Sequence, residues 1–249
     1  MDRIQQQSLK SPRQPAVDSS LHVESALFSV HSRDTTVALF APLHYEPGYA
    51  YPLIVWLHGQ GGDERQLIRI MPQVSMRNYV AAAPRGMCTA TAGEPDRGGY
   101  GWRQSDDHIE QAEQRVFESI DTARRKYHIA PERIFLAGFD SGGTMAFRVA
   151  LNRPERFAGV LSLCGPFPHD RMPLGHLAEA RQLPILLGVG RYSREYLASE
   201  VCENLRLFHT AGLSTMLRQY PCGHELSQQM LADVDRWIIE QITSTADSC

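Results

Sequence analysis

Between a strand-like run and a helical run, this chain has to turn sharply at Gly138-Phe139-Asp140-Ser141-Gly142-Gly143. The run before the turn, Arg133-Ile134-Phe135-Leu136-Ala137, is mostly apolar, as a buried strand is. The segment after it, 144–152, has the character of a helix. Glycines at 138 and 142 carry no Cβ, so the two backbones can approach closely. The side chain between them is then held out on a strained turn. A strand and a helix joined in this way belong to a layered α/β structure, and the residue at the tip is Asp140.

The rest of the chain repeats the alternation. Segments 26–31 and 36–42 predict an antiparallel strand pair. Tyr51 to Leu57 is nearly all apolar, as in a strand covered on both faces. A helix is expected after Asp63, a good N-cap residue, and a strand at 79–83. Ala112, Val116, Ile120 and Ala123 share one face of a helix over 108–127. Strands at 158–164, 183–189 and 214–220 alternate with helices at 194–210 and 226–242. This order predicts an α/β fold, a mostly parallel central sheet with helices on both faces. Only 166–181 is long enough to lie over a site as an irregular loop, and it is too short for a large cap domain. Residues 1–24, rich in Gln, Ser and Pro, are expected to be a flexible extension, and 25–249 one domain.

The 249 residues carry a formal net charge of −3, which gives no reason to expect nucleic acid or an anionic membrane as partner. No apolar run approaches the roughly 20 residues of a membrane span. Met1-Asp2-Arg3-Ile4-Gln5 lacks the basic-then-apolar order of a signal peptide, so a cytoplasmic location is expected. The five cysteines are odd in number and have no Cys-x-x-Cys spacing, which predicts free thiols and no metal site. No cofactor is expected.

Three segments in order resemble the phospholipase/carboxylesterase branch of the α/β-hydrolases, which includes acyl-protein thioesterase-like enzymes. They are Pro52-Leu-Ile-Val-Trp-Leu-His-Gly-Gln-Gly-Gly-Asp63, the turn at Asp140, and Tyr220-Pro-Cys-Gly-His224. Ala83-Pro84-Arg85-Gly86 and Gly101-Trp102 fit the same family. The resemblance implies the α/β-hydrolase fold, with Asp140 at the nucleophile position and His224 as general base. It also implies an oxyanion site built from the backbone N–H groups of Gln60 and Ser141. By the same resemblance the triad acid should lie where this chain has Ser193. Glu195 and Asp170 are nearby carboxylates able to substitute, although Glu195 also suits the first turn of a helix. His58 is expected to be a hydrogen-bonded structural residue.

Aspartate at the elbow changes the chemistry. A serine esterase attacks a carboxylic ester; a carboxylate doing so would form an anhydride from a weak nucleophile. Haloalkane dehalogenases and epoxide hydrolases of the same superfamily use Asp there to attack saturated carbon, and His-activated water then cleaves the resulting ester. This chain has Ser141 where dehalogenases hold a halide with Trp, and no room for the cap tyrosines of epoxide hydrolases. Three functions are compatible with these residues. One is a hydrolase acting through Asp140 on a small-molecule ester-like or alkyl substrate. The second is a non-catalytic binding protein on the same fold, and the third an esterase using Ser141 in a shifted frame.

Overall fold

The computed structural model describes residues 27–31, 36–89, 99–170 and 174–246. The expected N-terminal extension lies outside them. In chain order the strands are β1 (Leu27–His31), β2 (Thr36–Phe40), β3 (Tyr51–Leu57), β4 (Val80–Pro84), β5 (Met87–Cys88) and β6 (Tyr100–Gly101). They continue with β7 (Ile129–Phe139), β8 (Gly159–Leu163), β9 (Ile185–Gly190) and β10 (Thr215–Tyr220). The helices are α1 (Gln66–Val74), α2 (Asp106–Lys126), α3 (Ser141–Asn152), the short α4 (Leu177–Ala180), α5 (Ala198–Ala211) and α6 (Gln228–Ala246).

Eight strands form one sheet in the order β1-β2-β4-β3-β7-β8-β9-β10, and β5 pairs with β6 in a separate ribbon. The β1–β2 and β2–β4 pairs are antiparallel, and the others in the large sheet are parallel. Every residue of β3, β8 and β9 is buried, which explains why these segments read as continuous apolar runs. Ala112, Val116, Ile120 and Ala123 of α2 are buried as their spacing predicts, and pack with α3 and α5 in one core layer. Leu67 and Ile70 of α1 and Leu231 and Trp237 of α6 form the other. The expected two-faced architecture is present.

Element edges differ where local chemistry is ambiguous. β7 starts at Ile129, four residues before the predicted edge, because Ile129 pairs with Tyr51. The register then shifts between Tyr51 and Leu53, around Pro52 of β3 and Pro131 of β7, neither of which has an N–H for the ladder. Asp63 does not cap α1. The helix begins at Gln66, and Asp63 closes a tight turn by accepting the Arg65 N–H on its side chain at 2.9 Å and the Gln66 N–H on its carbonyl at 3.1 Å. Glu195 is not in the first turn of α5, which starts three residues later at Ala198.

Candidate active site

The site lies at the C-terminal ends of β3, β7, β9 and β10, where open α/β sheets leave room for a ligand. Asp140 links β7 to α3 with φ 53° and ψ −125°, outside the regions a non-glycine residue normally occupies. Such a conformation costs about 1–3 kcal/mol and persists only where its surroundings impose it. Here the Asp140 N–H donates to the Leu163 carbonyl at 2.9 Å, and its own carbonyl accepts the Thr144 N–H at 3.1 Å. A Cβ on Gly138 would overlap the Gly142 carbonyl, and one on Gly142 would overlap the carbonyls of Leu57 and His58. The elbow therefore needs both glycines for the close approach.

The Asp140 carboxylate is bonded at both oxygens. Oδ2 accepts the backbone N–H of Gln60 at 2.9 Å, and Oδ1 lies 3.1 Å from Nε2 of His224. The sequence-predicted residues Asp140, His224 and Gln60 are thus in contact, although 80 or more positions separate Asp140 from each of the other two. Side-chain exposures of 27% for Asp140 and 15% for His224 leave the pair reachable from solvent but largely covered.

His224 is held by a seam between two loops. Arg191 N–H donates to the Tyr220 carbonyl at 2.8 Å, and Tyr192 N–H to the Cys222 carbonyl at 2.9 Å. The seam is so close that a Cβ on Gly190 would overlap the Gly223 carbonyl. The ring of Phe139 backs the imidazole, with centroids 5.5 Å apart. On the far side of the ring, Nδ1 is 3.2 Å from Ser193 Oγ and 3.8 Å from Glu195 Oε2. Ser193 therefore stands where the resemblance puts the acid, with Glu195 as the nearer of the two substitute carboxylates. The carboxylate of Asp170 pairs with the buried Arg148 of α3, which also bonds Gln104.

Ser141 opens α3, so its backbone N–H is among the helix donors with no partner inside the helix. Its hydroxyl points inward: Oγ is buried and has no hydrogen-bond partner among the described residues. Tyr192 is exposed, and Tyr196 is buried with its hydroxyl bonded to Asn204. Among the described residues no group of three or more His, Cys, Asp or Glu side chains is placed to hold a metal ion, and no helix is long and apolar enough to cross a membrane.

The loop that carries Gln60 is braced by His58 and by a pairing of Glu64 with Arg85 that the sequence does not show. His58 is fully buried; its Nε2 accepts the Gly86 N–H at 2.9 Å, which leaves Nδ1–H to donate to the Gly59 carbonyl at 2.8 Å. Burial, the largest influence, holds the imidazole below its ordinary pKa, so His58 is the structural residue expected. Next to it, Glu64 makes two bonds to Arg85, 2.7 Å to Nε and 2.6 Å to Nη2, and Arg85 also lies over the Tyr100 ring. Tyr100 in turn pins the loop through its backbone, accepting from Gly61 N–H and donating to the Gly62 carbonyl. Burial alone would raise the Glu64 pKa, but the bonds and charge of Arg85 more than offset it and hold the carboxyl below its usual range.

These two groups give a pH dependence with a defined sign. Both folded pKa values are depressed, so each contributes stability above its unfolded pKa and loses it as pH falls toward the folded value. Acid titration should first weaken the fold below the ordinary histidine range, and again below the ordinary glutamate range. Thermal melts of wild type and His58→Gln across that interval check the first step, which the variant should lack.

With this geometry in place, comparison with known proteins is decisive for the family. The model of the phospholipase/carboxylesterase family matches residues 48–242. The chain belongs to that α/β-hydrolase family. A probable SOBER1-like carboxylesterase of Arabidopsis thaliana is 23% identical over 248 residues, covering 90% of each chain. The putative hydrolase MhqD of Bacillus subtilis is 22% identical, covering 80% of this chain and 98% of its own. Among solved structures, a carboxylesterase from Mesorhizobium loti superposes with a TM-score of 0.66 at 19% identity, covering 85% of this chain and 98% of that one. Acyl-protein thioesterase 2 of Zea mays gives 0.64 at 16% identity, covering 82% and 98%. At these identities the structural likeness speaks for the fold alone.

Proposed function

We propose that this family member is a hydrolase in which Asp140 is the nucleophile and His224 the base, acting on a small molecule with an electrophilic saturated carbon. The observation that carries this is the double engagement of the Asp140 carboxylate: Oδ2 on the Gln60 N–H and Oδ1 at Nε2 of His224. A carboxylate needs no base to attack. Oδ1 displaces the leaving group and forms an alkyl ester, while Oδ2 stays on its donor as the ester carbonyl. Water then adds to Cγ and gives its proton to Nε2. The charge that develops on Oδ2 falls on the N–H groups of Gln60 and Ser141, the kind of preorganised donor pair that supplies much of acyl-transfer catalysis. The tetrahedral centre collapses, and the departing alkoxide, which keeps Oδ1, takes the proton back from the imidazolium.

Trapping tests this directly. His224→Ala, incubated with a primary alkyl halide or an epoxide, should accumulate a covalent mass increment that maps to Asp140 and is absent in Asp140→Asn. In heavy-oxygen water, one turnover of the wild type should label Asp140 and leave the alcohol unlabelled. An increment mapping elsewhere, or label in the alcohol, sinks the proposal.

One observation favours a second function, a non-catalytic binding protein. The group nearest Nδ1 is the Ser193 hydroxyl, and the closest carboxylate, Glu195, is well exposed at 3.8 Å. A base without a firm acid partner is weakened. Absence of adduct and turnover across both probe classes would support that function instead. A Ser141 nucleophile is not proposed, because its Oγ faces inward and Nε2 is already engaged by Asp140.

A further inference from the structure

His224 is wired in the opposite sense to a serine-hydrolase histidine, and the partners on its two nitrogens decide which one carries the proton. An ionised carboxylate has acceptors only, so the 3.1 Å contact between Oδ1 of Asp140 and Nε2 requires Nε2–H. In the neutral ring Nδ1 is then an acceptor. The group facing it, Ser193 Oγ at 3.2 Å, already accepts the Tyr196 N–H at 3.1 Å and still has one proton to give and one lone pair free. A carboxylate at position 193 could only accept, and would demand Nδ1–H.

We propose that Ser193 is a positioning residue whose hydroxyl lets His224 hold either tautomer. In the resting site it donates to Nδ1 and stabilises Nε2–H, which binds Asp140. Once Asp140 becomes an ester its oxygen is uncharged and a poor acceptor, and the Nε2–H bond loses its partner. The ring then releases the Nε2 proton to water and takes one at Nδ1, with no net change in proton count. Ser193 turns its own proton outward and accepts Nδ1–H on its free lone pair. Nε2 is left with the lone pair that the incoming water needs. Other charged or titratable groups about this ring include Glu195 at 3.8 Å from Nδ1, Glu225 and Cys222 of its own loop, and Arg69 of α1, which lines the same pocket. Glu195 belongs to the same turn as Ser193 and can accept a hydrogen bond, through solvent, from the outward-turned hydroxyl, which keeps its proton.

The second half of this proposal rests on Asp140 being the nucleophile; the first half does not, and is measured without turnover. Long-range proton–nitrogen NMR of the full chain, at mildly alkaline pH, reports which ring nitrogen is protonated. The wild type should show Nε2–H with a bare Nδ1. Ser193→Asp should move the proton to Nδ1 or fill both nitrogens, and Ser193→Thr should keep the wild-type pattern. If Ser193→Asp does not fold, Ser193→Glu, which brings a carboxylate to the same nitrogen, replaces it and should show the same change. Nδ1–H in the wild type, or an unchanged spectrum in the carboxylate variant, overturns the role. In Asp140→Ala, which removes the anionic acceptor as esterification does, the signal should shift toward Nδ1–H, and a ring still protonated wholly at Nε2 overturns the switch. An error of tautomer alone can cost on the order of 10⁴ in kcat; Ser193→Asp fixes the Nδ1–H form that leaves Nε2 bare for water, so it should slow ester formation, where Nε2–H holds Asp140, more than ester hydrolysis. Failure to trap any ester tells against the nucleophile; the resting tautomer is decided separately.

Discussion

Asp140→Ser combined with Ser193→Asp should create aryl-ester hydrolysis that the wild type lacks, by a factor on the order of 10²–10³ over background, the contribution one good oxyanion donor makes. The two changes belong together. A serine at the elbow needs Nε2 bare to take its proton, so Nδ1 must carry the hydrogen, and a carboxylate at 193 demands that tautomer. The single Asp140→Ser variant has the nucleophile and the Gln60 N–H, newly vacated by Oδ2, but Ser193 leaves the tautomer undecided. It should show only a small part of the gain. Initial rates on short-chain p-nitrophenyl esters check this, with His224→Ala added as the control that returns activity to background. Equal activity in the single and double variants would mean that position 193 has no part in orienting the ring.

Glu64→Gln should lower stability by about 3 kcal/mol, at the lower end of what breaking a buried ion pair costs. Glu64 is 1% exposed, and Arg85 keeps 24% of its side chain in solvent, which recovers some hydration once the carboxylate has gone. The glutamine preserves the shape, so what is lost is charge and one acceptor against two guanidinium nitrogens. Urea unfolding measures the loss, and a change below about 1 kcal/mol would place the pair among ordinary surface bridges. Replacing Glu64 and Arg85 together by apolar residues should cost less than Glu64→Gln, because no charge is then left without its partner. The same variant should loosen the Gln60 loop, since Arg85 stacks on Tyr100 and Tyr100 holds Gly61 and Gly62 by backbone bonds.

Much of the molecule was legible before any coordinates. β3 was read to the residue because a strand buried on both faces is an unbroken apolar run. The buried stripe of α2 followed from its spacing. The elbow was legible because its two glycines have no substitute in that geometry. The ion pair that braces the site was not legible. Arg85 lies in a segment that fits the family, but Glu64, 21 positions away on a loop, reads alone as an ordinary charged residue, and nothing in the chain pairs the two. Asp170 and Glu195 were both candidates along the chain, and only the structure pairs Asp170 with Arg148 and brings Glu195 to 3.8 Å from Nδ1.

Local sequence by itself therefore determined the layered fold, the strained turn and the residue at its tip, because backbone sterics and apolar periodicity act over a few residues. Only the tertiary structure decided that the Asp140 carboxylate spans the Gln60 N–H and His224, and that a hydroxyl backs the imidazole. The physical reason is that a hydrogen bond requires approach to about 3 Å in a set direction. For groups 31 to 84 positions apart, that approach is set by strand order and loop seams rather than by neighbours in the chain.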